Sequence, residues 1–189
     1  IGLLTSRMHF EGPLWKDRTS FIISARRSYA DLIIKPFMDK DTKGGYYLYD
    51  INTKLNHRFS DRDRLFFSFY HGKDHASFTN TSSYYFEEEK ETDTRERQVM
   101  AWGSTLGALR WNHIVSNRLF HNITLSYNRF RFNIKNNFTS ANKHLDSQYY
   151  SGIEDWGLTS DFDFHPSPSH FIKFGGNYLY HTFRPETQH

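Results

Sequence analysis

Between Gly45 and Phe69 hydrophobic and polar residues alternate, pause for five residues, and alternate again. Tyr47, Tyr49, Ile51, Thr53, Leu55 and Phe59 fall on one parity, while Asp50, Asn52, Lys54, Asn56 and Arg58 fall on the other. Beyond 60–64, Leu65, Phe67 and Phe69 resume an apolar parity with Ser68 opposite. Side chains alternate across an extended strand that rises about 3.3 Å per residue, so this is a hairpin with one apolar and one hydrophilic face. Tyr47 and Phe59 bracket the apolar face; at a tilt near 45° their separation spans roughly 28 Å of height. That is about the thickness of a bilayer core, with rings at both interfaces. The pattern predicts a transmembrane β-barrel wall.

Alternation and turn chemistry divide the chain into about eight strands, near 1–11, 19–31, 45–59, 64–73, 97–114, 119–132, 152–165 and 170–183. Short connections (12–18, 60–64, 116–118 and 166–169) alternate with long polar ones (32–44, 73–96 and 133–151), the layout of periplasmic turns and extracellular loops. Ile123, Leu125 and Tyr127 oppose Asn122, Thr124, Ser126 and Asn128. Trp156, Leu158, Phe162 and Phe164 oppose Asp155, Thr159, Asp161 and Asp163; Ile172, Phe174, Tyr178 and Tyr180 oppose Lys173, Gly175 and Asn177. Two strands are less regular. Ile22 interrupts the parity of Phe21, Ile23 and Ala25. In the fifth strand Trp102, Leu106 and Ala108 share one parity and Leu109 and Trp111 the other, which a bulge or a change of environment would explain.

Composition agrees with a wall that is apolar on one side only. Aromatic residues form 18% of the 189-residue chain, yet mean hydropathy is -0.75. Alternating faces average to hydrophilic while staying rich in rings. No run approaches the roughly 20 apolar residues of a membrane helix. Cysteine is absent, which removes disulfide frameworks and thiolate chemistry. A net charge of +3, with Lys and Arg scattered, argues against nucleic-acid binding. The expected fold is all-β, an antiparallel up-and-down meander. With short turns on the periplasmic side, both chain ends fall on the cell surface. Together with a start at Ile1, that leads to the expectation that 1–189 is one partial barrel domain of a longer protein.

Four stretches resemble the TonB-dependent outer-membrane receptors. They are Glu11-Gly12-Pro13-Leu14-Trp15-Lys16-Asp17-Arg18 running through Phe21 into Ser24-Ala25-Arg26-Arg27-Ser28-Tyr29; Tyr47-Leu48-Tyr49-Asp50-Ile51-Asn52 through His57-Arg58-Phe59; Gly103-Ser104-Thr105-Leu106-Gly107-Ala108-Leu109-Arg110-Trp111-Asn112-His113; and Ile172-Lys173-Phe174-Gly175-Gly176 with His181-Thr182-Phe183-Arg184-Pro185. The resemblance implies a 22-stranded barrel occluded by an N-terminal plug and energised by the TonB complex. Such a barrel imports a scarce nutrient, whether siderophore, vitamin, oligosaccharide or peptide. The plug and TonB box are not in this sequence. A passive porin or adhesin barrel, and a soluble β-rich binding module, are the alternatives.

Candidate chemistry is sparse. Tyr47, Tyr49, Ile51, Leu55, Phe59, Phe67, Ile123, Leu125, Tyr127 and Phe174 are expected to face outer-membrane lipid. Tyr84, Tyr85 and Phe86, with Tyr149 and Tyr150, lie in long connections where rings could stack on a ligand. The 73–96 connection is the leading candidate for recognition, because long loops without secondary structure are usually functional. His71 and His75 lack an acidic cluster at zinc spacing, so no metal site is expected. Glu87-Glu88-Glu89-Lys90-Glu91 reads as a solvated tip. No nucleophile elbow, phosphate loop or paired-carboxylate motif stands out, so neither an enzyme nor a cofactor is implied.

Overall fold

The computed structural model describes residues 4–15, 17–86, 89–141 and 143–188. Eight strands lie side by side in chain order: β1 (Thr5–Trp15), β2 (Thr19–Ser28), β3 (Thr42–Arg58), β4 (Asp63–Phe86), β5 (Glu89–Ser116), β6 (Leu119–Ser140), β7 (Lys143–Ser167) and β8 (His170–Gln188). Each neighbouring pair is antiparallel. This is the all-β meander that the alternation predicts. The sheet is open, with β1 hydrogen-bonded to β2 and β8 to β7 at its two edges. It has no second layer to pack against, so among the described residues no hydrophobic side chain is buried.

The register aligns the apolar parities of successive strands into continuous rows. Phe21, Leu55, Phe67, Leu109, Leu125, Leu158 and Tyr178 oppose one another in sequence across β2 to β8. The next row runs Ile23, Thr53, Phe69, Gly107, Tyr127, Trp156 and Tyr180. A one-residue slip at any interface would put that strand's apolar set on the hydrophilic side, which is why the register is so strongly specified.

Two of the three long connections are not loops. Residues 73–86 continue β4, 89–96 begin β5, 133–140 continue β6 and 143–151 begin β7. Phe86 pairs with Glu89 and Ser140 with Lys143, so both hairpins stay paired far beyond the apolar rows. Both stretches were expected to be loops because neither of their parities is uniformly apolar. Yet neither contains a Gly or Pro, and Ser, Thr and Asn keep the ladder paired along their length. The connection between β2 and β3 is a loop, and it carries a short helix, α1 (Ala30–Ile34), and a 3-10 turn (Lys35–Phe37). Ala141 at the β6–β7 turn takes φ 42°, a conformation uncommon for a residue with a side chain.

At the opposite end, the β3–β4 turn is knotted by side chains. Ser60 Oγ donates to Asp63 Oδ2 at 2.8 Å and accepts the amides of Arg62 and Asp63 at 3.1 Å each. Asp63 Oδ1 also accepts from Trp111 Nε1 at 3.2 Å and lies 2.7 Å from His113 Nδ1, tying the turn to β5. The Ser60 hydroxyl, then the His113 ring, hold the Asp63 carboxyl below its ordinary value. A depressed folded pKa means that this contribution is present above the ordinary carboxylate range and is lost as pH falls through the folded value. Replacing Asp63 with Asn should therefore lower the urea midpoint of the full-length protein at neutral pH and flatten its decline in acid. An unchanged acid profile in the variant would show that the knot is ornamental.

Candidate functional site

The register divides each face of the sheet into two zones. One face carries the apolar rows near the short turns and is here termed the band face. Tyr47, Tyr49, Ile51, Leu55, Phe67, Ile123, Leu125, Tyr127 and Phe174 all lie on it. Ile51, Leu125 and Phe174 expose 39%, 45% and 52% of their surface, with nothing in the chain covering them. Phe59 lies in the β3–β4 turn, its ring edge-on to His57 at 4.4 Å. Toward the far turns the same face becomes charged, with Lys73, Arg97, Arg129, Arg131, Glu154 and Arg184.

The other face is the mirror of this arrangement. Beside the apolar rows it is hydrophilic and internally paired. Lys173 lies 3.6 Å from Asp163, and on β2 and β3 the pairing extends to Arg26 and Asp50, 2.6 Å apart in the row that leads to Phe130. Asp155 accepts from Asn128 Nδ2 at 2.9 Å and pairs with His181 Nδ1 at 2.7 Å. Toward the far turns it becomes aromatic. Trp102 opposes Phe132, Phe130 opposes Ile153, and Ile153 opposes Phe183. Trp102 stacks at 6.4 Å on Tyr46, and Phe132 meets Tyr149 edge-on at 6.5 Å. Much of this surface is open, with Tyr149 43% and Phe183 70% exposed.

The inversion explains the fifth strand. Its pairing with β6 runs without a shift from Thr94 to Ile114, so no bulge separates the Leu109 and Trp111 parity from that of Trp102 and Leu106. The environment changes instead. The signal was present elsewhere in the sequence, because apolar residues in β6 move from odd positions up to Tyr127 to even ones at Phe130, Phe132 and Ile134. Reading each parity for a single environment concealed the aromatic zone.

The candidate rings are not brought together. Tyr84, Tyr85 and Phe86 belong to the end of β4, opposite Thr92, Lys90 and Glu89, with a register shift between Tyr84 and Tyr85. Tyr149 and Tyr150 are consecutive strand residues and so point to opposite faces. Tyr149 joins the aromatic zone, whereas Tyr150 lies on the band face, 5.9 Å from the Arg131 guanidinium. The row containing Tyr149 reaches β4 at Ala76, eight residues short of Tyr84, which is about 26 Å along the strand. Neither histidine is isolated. His71 Nδ1 is 3.0 Å from Thr105 Oγ1, and His75 stacks on Tyr47 at 4.9 Å. In the acidic run, Glu87 and Glu88 lie outside the described residues.

An antiparallel meander of long strands, apolar on one face and hydrophilic on the other over a bilayer-sized height, is the organisation of an outer-membrane wall. Residues 40–189 match the family described as outer membrane beta barrel domain. The chain belongs to that family. Its location is accordingly the bacterial outer membrane. A search of curated proteins found no match. As an outer membrane beta barrel domain, the chain gains a physical reason for its inverted faces. A strand longer than the bilayer is thick leaves lipid partway along, and each face then meets a different medium.

Proposed function

We propose that this outer membrane beta barrel domain is a wall section of a TonB-dependent nutrient importer, with the band face toward lipid and the other toward the lumen. The eight strands would be completed by further strands into a barrel of the 22-stranded kind, because an open edge in hydrocarbon leaves backbone groups unpaired. A plug domain and the TonB complex would be partners of the whole protein, and no enzymatic reaction belongs to this reading. The observation that carries it is the aromatic zone of Trp102, Phe130, Phe132, Tyr149 and Phe183 on the lumen side, above the membrane. Water-filled diffusion pores are lined by polar residues. A cluster of open rings offers stacking surface to a bulky ligand that must be captured before it is moved.

The test is uptake by cells carrying the full-length protein, with a panel of labelled siderophores, cobalamin, oligosaccharides and peptides. At least one should accumulate in a manner abolished by deletion of TonB or by collapse of the proton gradient. Passive accumulation unaffected by either treatment would instead identify a porin.

A further inference from the structure

We propose that the band face carries a binding site for the phosphorylated headgroup of an outer-leaflet glycolipid, in a groove floored by Ala101 and Gly103 on β5. This rests on the band face meeting lipid. The groove has a volume of about 290 Å³, with His71 and Lys73 of β4 on one side and Arg129 and Arg131 of β6 on the other. Lys73 and Arg131 are both register partners of Gly103, and His71 and Arg129 are both partners of Thr105. The cationic ridges therefore stand two strand spacings apart, about 10 Å, with a floor that lacks long side chains. A phosphate group fits between such ridges and can be reached from both.

Charge and depth point to the same occupant. Among the described residues neither Lys73 nor Arg129 makes an ion pair, while Arg131 shares Glu154, at 3.8 Å, with Arg184 at 3.3 Å. Two cations of the groove are thus left without a carboxylate. Along β4 to β6, the row of His71, Thr105 and Arg129 begins two residues past that of Phe69, Gly107 and Tyr127, about 7 Å beyond it. That is headgroup depth, where basic side chains bind anionic lipid. Gly103 also fixes the floor, since a Cβ there would lie 2.5 Å from the Gly72 carbonyl oxygen.

The experiment uses the full-length protein folded into phosphatidylcholine nanodiscs and titrated with fluorescent bis-phosphorylated lipid A or its dephosphorylated form. Wild type should prefer the phosphorylated lipid, and a Lys73→Gln, Arg129→Gln, Arg131→Gln variant should bind it more weakly by about tenfold or more. Heat-modifiability on a gel confirms that the variant folds, and a Lys135→Gln, Arg97→Gln, Arg95→Gln variant serves as a charge-matched control on the same face. Equal loss in the control, no preference for the phosphorylated lipid, or full competition by millimolar inorganic phosphate would each overturn the site. A tryptophan at Leu125, quenched or not by brominated lipid, separately reports whether the band face meets lipid, so failure of the groove is distinguishable from failure of the orientation.

Discussion

Arginine at Leu125 should cost the full-length barrel about 2–4 kcal/mol of stability, whereas arginine at the adjacent Ser126 should cost far less. Leu125 lies in the middle of an apolar row, between Leu109 and Leu158, and is 45% exposed with no protein covering it. A guanidinium there must either desolvate in hydrocarbon or pull water and headgroups inward. Ser126 points to the face that carries Asp155 and Asp161, where a cation finds water and carboxylates. Leu55 and Asn56 form a second such pair on β3, in the same row, and should behave alike. Reversible folding into bilayers of defined thickness supplies the measurement. Equal penalties at the paired positions would mean that the two faces do not meet different media.

The second large effect is expected on ligand capture. Replacing Trp102 and Phe132 together with Ala removes two directly opposed rings from the aromatic zone. Central aromatic anchors typically contribute about 2 kcal/mol or more to binding, so substrate affinity should fall roughly thirtyfold or further. Barrel stability should change little, because these half-buried rings belong to no closed core and the backbone ladder beneath them is untouched. Affinity for the transported substrate would be read beside heat-modifiability. Undiminished affinity in a folded variant would move recognition to the plug or to other strands. Deletion of 77–91 would be a poorer probe. Residues 77–80 pair with β3 and 77–86 with β5, so the deletion strips ladder from Thr42 to Gly45 as well as removing rings.

How far the sequence reached is clearest on β5 and β6. From Leu109 and Trp111, or Ile123, Leu125 and Tyr127, period-two alternation alone assigned strand, face and antiparallel neighbour. A strand half in lipid must alternate, and a slip would be costly. The same rule gave no account of Trp102, Phe130 and Phe132, nor of the long stretches on either side of 87 and 141. Beyond the bilayer both media are aqueous or sheltered, so neither parity is forced to be apolar and polar strand resembles polar loop. Only the pairing of β4 with β5 and of β6 with β7 showed those stretches to be continuous ladder. Likewise Lys73 and Arg131, far apart in the chain, become two walls of one groove because both register on Gly103. Local alternation follows from the solvent on each side of a strand and is written into neighbouring residues. Which charges and rings share a surface depends on the register between distant strands, and that was decided only when the sheet was assembled.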